Sequence, residues 1–316
     1  MSRPSAFRPA PAAPAPFLAA LAATALLLTG CGTEPAGAGD RGAGAAGSPS
    51  GTPVDDPGKD GVRVTSVTLP SPSRTPSDDY SVHADSLYSG ISAAYEVTNK
   101  SAETLTYTVI ITFQSADGGA MSNRTVTVRD VGPGRTVRGT VQAEALTPGA
   151  PRTTGARVLE VTKVPAAEAP TEPGACPASG IRVSVDRGDA AMGLRVVGLH
   201  LDNCGTRTYT VEGYPLLQLL DEDRKPVDGV QILEGSAEIS TGAGPDTPPG
   251  PVTLKPGEEA TSALVWRNTT QMGTAVNVPY VRVRAKAGAD PVTVTPKLDL
   301  GTTGKLGVKP WAKAKP

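Results

Sequence analysis

Alternating apolar and polar residues recur along this chain from residue 62 onward, and this period of two predicts β-strands. The clearest run is residues 105–113, whose large apolar side chains share one face while its threonines share the other. Further strands are predicted at 62–69, 91–98, 125–128, 137–141 and 157–164. Six or seven short strands separated by Gly and Pro turns predict an immunoglobulin-like β-sandwich over residues 61–165.

A second set of short apolar runs occupies the second half of the chain. Its strands are predicted at 181–186, 194–202, 207–211, 216–220, 229–233, 251–254, 260–266, 278–285 and 291–295. They predict a second β-sandwich over residues 176–312, with a polar hairpin tip at Asp221 to Lys225. The Pro-rich residues 166–175 between the sandwiches predict a stiff linker. The predicted fold class is therefore all-β, with two sandwich domains.

Residues 31–60 differ from both predicted domains, because they are rich in Gly, Ala and Pro and show no apolar periodicity. Such a segment buries too little apolar surface to fold, so a disordered tether is predicted here. As a Gly-rich coil, the tether would span roughly 30 Å on average. It would hold the folded domains away from the surface that anchors its first residue.

Residues 1–30 have the pattern of a secretory signal peptide, because Arg3 and Arg8 precede a short apolar run. That run is shorter than the roughly 20 apolar residues that span a bilayer. It ends in Leu28-Thr29-Gly30-Cys31, which resembles the lipobox of bacterial lipoproteins. The resemblance implies that Cys31 carries a diacylglyceryl group and becomes the first residue of an exported protein anchored to the outer face of the cytoplasmic membrane. The alternative is an ordinary secretory signal in which this cysteine occurs by chance.

The remaining cysteines bear on the compartment and the fold. If Cys31 carries lipid, Cys176 and Cys204 remain, and an even pair in an exported chain predicts a disulfide. This disulfide would close a loop of 29 residues. On the chain-entropy relation, closing such a loop stabilises a fold by about 3.6 kcal/mol. A zinc site is the alternative, but zinc takes three or four ligands at regular spacing, and the chain has no C-x-x-C or H-x-x-x-H.

The charge balance argues against one class of partner. The whole chain has 30 Lys and Arg and 31 Asp and Glu. Removing residues 1–30 removes Arg3 and Arg8 but no acidic residue, which leaves 28 basic and 31 acidic residues. The resulting net charge of −3 gives no electrostatic basis for binding nucleic acid or anionic lipid. The membrane is therefore expected as a partner only through the lipid anchor.

A longer motif lies in the second predicted sandwich. Residues 203–215 read NCGTRTYTVEGYP, and a V-T-L-K-P-G-E segment follows at 252–258. Together they are similar to the N-x-G-x-x-x-C-x-L-x-G-Y-P core of an uncharacterised domain family, found in secreted proteins and lipoproteins of high-GC Gram-positive bacteria. The usual cysteine of that family falls on Tyr209 here, and Cys204 lies five residues earlier, so the pairing of the family does not transfer. The resemblance implies no defined activity.

Candidate catalytic chemistry is sparse. His83 falls in a loop-like segment, and His200 lies in a strand beside Asp202. A hydrolase could use His200 with nearby carboxylates, but no G-x-S-x-G or S-x-x-K motif accompanies it. His200 is therefore predicted to be a hydrogen-bonded or solvent-facing strand residue. Tyr214 is predicted to fix a turn through its hydroxyl, and Trp266 is predicted to lie in the core.

These features predict a lipid-anchored protein of the cell envelope that binds or assembles without catalysis, cofactor or metal. Its expected partners are envelope proteins or glycans, and not nucleic acid. The alternatives are an envelope hydrolase or metal-dependent enzyme using His200, and a lipoprotein that carries a small ligand. The carrier alternative is disfavoured because such carriers are usually two-lobed α/β proteins, and no alternation of strands and helices is visible.

Overall fold

The computed structural model describes residues 51–69, 88–145 and 151–314, so Cys31, His83 and the signal peptide lie outside the described residues. The predicted all-β class is confirmed, because the regular structure of the described residues consists of strands and two single 3-10 turns, Ala166–Glu168 and Thr241–Ala243. In this part of the chain, no helix has the length and apolar character needed to cross a membrane.

The first sandwich contains seven strands in two antiparallel sheets. They are β1 Thr52–Pro53, β2 Val62–Thr68, β3 Tyr88–Thr98, β4 Leu105–Ser115, β5 Ala120–Val131, β6 Thr136–Glu144 and β7 Thr153–Pro165. One sheet has the order β1-β2-β3-β6 and the other β5-β4-β7. The odd-numbered residues of β4, including Tyr107 and Phe113, are buried between the sheets. Burial of these large side chains is the main stabilising contribution to this domain.

The sandwich begins earlier in the chain than its predicted boundary. Residues 52 and 53 pair with β2, and the Asp56 carboxylate accepts hydrogen bonds from the backbone N–H groups of Val64 and Val158, at 2.8 and 3.2 Å. Asp56 thereby connects one strand of each sheet. The prediction of a disordered tether is therefore wrong for residues 51–60. The composition of this segment gave no sign of its order, since one carboxylate, a two-residue strand and a single apolar side chain, Val54, hold it against the sandwich.

The second sandwich contains fourteen short strands. They are β8 Ile181–Val185, β9 Asp189–Ala191, β10 Leu194–Asn203, β11 Tyr209–Glu212, β12 Leu216–Leu220, β13 Gln231–Glu234, β14 Pro251–Leu254, β15 Glu259–Arg267, β16 Asn277–Val278, β17 Tyr280–Arg284, β18 Val292–Val294, β19 Leu298–Asp299, β20 Lys305–Val308 and β21 Ala312–Lys313. The largest sheet has the order β13-β20-β15-β10-β8, and a second sheet has the order β12-β17-β18. Their facing side chains form one apolar core around Leu199, Leu264 and Trp311.

Strand β20 was not predicted, although it lies between β13 and β15 in the largest sheet. It has only four residues, includes Gly307, and pairs in parallel with β13 from far away in sequence. Neither its length nor its local pattern distinguishes it from a loop. Strand β20 is buried because β13 and β15, which are distant from it in sequence, pair with its two edges.

A buried asparagine organises one corner of the second sandwich. The Asn203 side-chain amide donates hydrogen bonds to the carbonyl oxygens of Arg207 and Leu254, at 2.8 and 2.9 Å. Its side-chain oxygen accepts from the N–H of Gly205, and its backbone oxygen accepts from the N–H of Gly257. Gly257 has a φ of 82°, which favours glycine. Asn203 therefore satisfies several backbone groups at once.

The first sandwich contains the same corner. The Asn99 side-chain amide donates to the carbonyl oxygens of Glu103 and Val131, both at 2.7 Å, and its backbone oxygen accepts from Gly134. In each corner, one acceptor carbonyl lies four residues after the asparagine, and the other lies three residues before the turn glycine. The two domains thus share a structural device despite their different strand numbers.

Candidate binding site at the junction of the two sandwiches

The predicted linker is fastened to both domains. The Glu168 carboxylate accepts hydrogen bonds from Arg282 Nε at 2.8 Å and Thr293 Oγ1 at 2.7 Å, both in the second sandwich. Arg129 of the first sandwich donates from Nη1 to the carbonyl oxygen of Pro170, also at 2.8 Å. The linker is therefore part of an interface as well as a spacer.

Further contacts join the domains directly. The Tyr280 hydroxyl accepts a hydrogen bond from the backbone N–H of Lys163 at 3.3 Å, and Lys297 forms an ion pair with Glu160 at 2.7 Å. A small apolar cluster of Val164, Leu220 and Tyr280 lies beside them. Polar and apolar contacts together hold the junction.

The hairpin tip is also part of this junction. Asp223 is exposed and forms an ion pair with Lys225, and Asp221 accepts a hydrogen bond from the backbone of Lys225. Arg224, the residue after Asp223, forms an ion pair with Glu103 of the first sandwich. The prediction of a solvated tip holds for Asp223 and is wrong for Arg224, because the partner of Arg224 lies on the other domain.

Replacing Glu168 by alanine is expected to weaken the junction by about 2 kcal/mol, because Arg282 and Thr293 lose a charged hydrogen-bond partner. Calorimetric unfolding should then show the two sandwiches melting further apart. Glu172→Ala serves as the control, since Glu172 is exposed and pairs only with Arg129. Equal effects of the two substitutions would contradict the role given to Glu168.

An open cleft of about 490 Å³ lies at this junction and takes residues from both domains. Its lining includes Lys100, Tyr107 and Lys163 of the first sandwich, and Glu222, Arg224 and Tyr280 of the second. Burial raises the pKa of the Tyr107 hydroxyl, nearby Asp60 raises it further, and Arg224 acts in the opposite direction. The lining therefore combines charged groups of both signs with two tyrosines that are themselves buried.

Two walls of the cleft contain strained backbone. Asp60 and Arg224 have φ values of 53° and 63°, in the left-handed region that non-glycine residues rarely adopt. Both line the cleft, and each makes an ion pair, Asp60 with Lys163 at 2.6 Å and Arg224 with Glu103. Backbone strain of this kind costs about 1–3 kcal/mol per residue and clusters at functional sites.

Two charges of the cleft remain without an ion-pair partner among the described residues. Lys100, on the first sandwich, and Glu222, on the second, are both exposed and line the cleft. A ligand held between them would meet one positive and one negative group. Sequence reasoning missed this pair because their proximity depends on the packing of two domains.

His200 lies outside the cleft, on the exposed face of β10. Its ring Nδ1 is 2.5 Å from Glu259 Oε1 and its Nε2 is 3.6 Å from Asp186 Oδ2. Burial lowers the pKa of this imidazole, but the hydrogen bond and charge of Glu259, followed by those of Asp186, outweigh burial and raise the pKa. Asp202 pairs instead with Arg182 at 3.0 Å. The prediction of a hydrogen-bonded strand histidine is confirmed.

His200→Gln is expected to change the free energy of unfolding by less than about 1 kcal/mol at pH 7, as for other partly exposed ion pairs. Because folding raises the His200 pKa, its stabilising contribution is fully present below about pH 6.5 and is lost as pH rises through the raised value. The stability difference between wild type and variant should therefore shrink from pH 6 to pH 8 in urea titrations. A difference that grows over this range would contradict the assignment.

The predicted disulfide is confirmed. Cys176 and Cys204 are bonded, with their Cα atoms 5.7 Å apart. The bond connects the end of the linker to the loop that follows Asn203. It therefore ties the junction segment to the second sandwich covalently.

The G-Y-P segment has a structural role that differs in detail from the prediction. Tyr214 is half-buried, and its hydroxyl has no hydrogen bond to another described residue. The turn is held instead by the backbone N–H of Trp311, which donates to the carbonyl of Gly213 at 2.8 Å. Trp266 lies in the core as predicted, and its Nε1 donates to Asp299. The hydrogen bond from Trp311 to Gly213 joins residues far apart in sequence, so the local sequence did not indicate it.

Within residues 51–69, 88–145 and 151–314, no group of three or more His, Cys, Asp or Glu side chains is arranged to hold a metal ion. Among curated proteins, none matches this chain in sequence. The predicted resemblance of the second sandwich to an uncharacterised domain family is confirmed. Residues 176–312, from the disulfide to the last strand, match the family described as Domain of unknown function (DUF4232).

Proposed function

We propose that this chain is a lipid-anchored, exported protein of the cell envelope that binds a partner without catalysing a reaction. The lipobox-like Leu28 to Cys31 supports the anchor and the location, and the G-Y-P segment supports a relationship to exported proteins of high-GC Gram-positive bacteria. Two acyl chains are sufficient for stable anchoring. The binding site is the cleft between the sandwiches.

The proposal rests on two opposite charges, Lys100 and Glu222, which line a cleft built from both domains. Neither has an ion-pair partner among the described residues. Lys100 and Glu222 are exposed, so each can form an ion pair with a partner. The partner that fits is a segment of an envelope protein that has both a basic and an acidic side chain. The fastened junction supports this role, because a preformed site loses less entropy on binding.

The alternative enzyme function has weaker support. His200 already contacts Glu259 and Asp186 through its two ring nitrogens, and this arrangement favours a structural role. A general base needs to reach both a nucleophile and a substrate. The carrier alternative is also less well supported, since the cleft is open and lined by charged groups rather than by an apolar, enclosing wall.

Charge exchange across the cleft tests the proposal. Lys100→Glu combined with Glu222→Lys keeps the net charge but reverses both contacts, so envelope proteins that co-purify with the anchored wild type should be lost. Arg207→Glu combined with Glu212→Arg is the matched control, because both residues are exposed and lie outside the cleft. Identical co-purification by all three proteins would refute the cleft as the binding site.

A further inference from the structure

We infer that a second site at the junction, a small groove lined by threonines, binds a single sugar ring. The groove has a volume of about 160 Å³ and is formed by the first sandwich, the linker and the second sandwich. Its lining includes Thr106, Thr108, Thr127, Arg129, Thr162 and Thr171. It shares no lining residue with the charged cleft. This inference therefore goes beyond the proposed function and can fail independently of it.

The groove contains a regular row of hydroxyl groups. Thr108 on β4 is directly opposite Thr127 on β5 and directly opposite Thr162 on β7. Residues paired in this way project from the same face of a sheet, and neighbouring strands are about 4.8 Å apart. Thr106 lies on the same face, two residues before Thr108. The sheet therefore presents threonines from three adjacent strands to the same groove.

These hydroxyls have no protein partner in the described part of the chain. Thr106 lines the groove, where its hydroxyl is reached by solvent and forms no hydrogen bond with another described residue. The Thr171 hydroxyl is buried and equally unpartnered there. Leaving a buried hydroxyl unpaired costs about as much as a lost hydrogen bond, so such groups usually have a partner. A ligand rich in both donors and acceptors would provide one.

The charges around the groove favour a neutral ligand. Arg129 is the one guanidinium in the lining, and its Nε is 3.1 Å from the Glu172 carboxylate. Thr293 donates its hydroxyl to Glu168, which places a second carboxylate beside the groove. An anion would meet these acids, and an apolar ligand would leave the threonines unpaired. A hydroxyl group satisfies both the donors and the acceptors of this surface.

The size of the groove sets the extent of the ligand. Its volume of about 160 Å³ is about a third of the 490 Å³ of the charged cleft. This space accommodates one ring and not a chain of rings. The ring could be a free monosaccharide or the end of a glycan, because both present the same hydroxyl chemistry.

Threonine-methyl NMR of the full-length protein tests this inference. Glucose and N-acetylglucosamine are titrated, with cyclohexanol as a ring of similar size that has one hydroxyl. We expect at least one sugar to shift the groove methyls with a dissociation constant on the order of 1 mM, and cyclohexanol to leave them unchanged. Maltotriose and chitotriose distinguish a glycan end from a free sugar. If the trisaccharide binds more tightly than the matching monosaccharide, the ligand is a glycan end. If the trisaccharide binds more weakly, the ligand is a free sugar.

Variants localise the effect. Thr108→Val removes one hydroxyl while keeping the shape and strand preference of the side chain, so it should weaken sugar binding about fivefold. Thr140→Val is the matched control, because Thr140 is an exposed strand residue on the other sheet of the same sandwich, and its affinity should equal that of wild type. Absence of any sugar-dependent shift would overturn the inference. An equal affinity for Thr108→Val and wild type would do the same.

Discussion

Replacing Asn203 by alanine is expected to lower the free energy of unfolding of the second sandwich by about 3–4 kcal/mol. The side chain is 1% exposed and donates to the carbonyl oxygens of Arg207 and Leu254. Alanine leaves both oxygens without this partner, and each buried unsatisfied group costs about 1–3 kcal/mol. Calorimetry, which resolves the transitions of two domains, should show the second sandwich melting at a lower temperature.

Two further substitutions make this prediction specific. Asn99→Ala removes the equivalent contacts in the first sandwich and should destabilise that domain by a similar amount. Asn123→Ala is the control, because Asn123 is exposed on β5 and its loss should change stability by less than about 0.5 kcal/mol. A cost below about 1 kcal/mol at both corners would show that these asparagines do not organise the domains.

Replacing Cys31 by serine is expected to move nearly all of the protein from the membrane fraction into the medium. If Cys31 carries the proposed diacylglyceryl group, serine lacks the thiol that receives it, and the variant would lose the two acyl chains proposed to hold the protein. Fractionation and immunoblotting of cells that express the wild-type and Cys31→Ser proteins measure the change. Thr33→Ser is the control, since it alters a residue just beyond the motif and should leave the protein anchored.

The outcome also separates the two interpretations of the N-terminal segment. If the segment is an ordinary secretory signal, wild type and Cys31→Ser should be found in the medium to the same extent. Retention of the serine variant in membranes at the wild-type level would exclude the lipid as the anchor. Mass spectrometry of the membrane-bound wild type should show the added acyl mass on Cys31.

Alternation identified most strands because it depends on neighbours in the chain. Strand β4 is the clearest case, since its odd-numbered residues are buried as predicted. Its other face was predicted to hold the threonines, and one of them, Thr106, is buried where β4 meets the linker and the second sandwich. Contacts between domains leave no periodic signal, which is why the threonine groove and the charged cleft were not found from the sequence.

The corner motif is a different case, because a signal was present. Asn99 precedes Pro133-Gly134, and Asn203 precedes Pro256-Gly257, so both domains repeat the same order of residues. Glu168 left no comparable signal, since one acid in a Pro-rich linker has no pattern that points to Arg282. The disulfide was predictable once Cys31 was assigned to the lipid anchor, whereas its position at the end of the junction segment required the structure.

The central claim, that this protein binds its partner in the cleft between the sandwiches, is tested most directly by cross-linking in the native envelope. A photo-reactive amino acid is placed at Asp223, which lines the cleft beside Glu222, and, separately, at Glu212 outside the cleft. We predict a discrete cross-linked product from position 223 that is absent from position 212 and that disappears when Lys100→Glu is added. No product from position 223, or the same product from both positions, would contradict this claim.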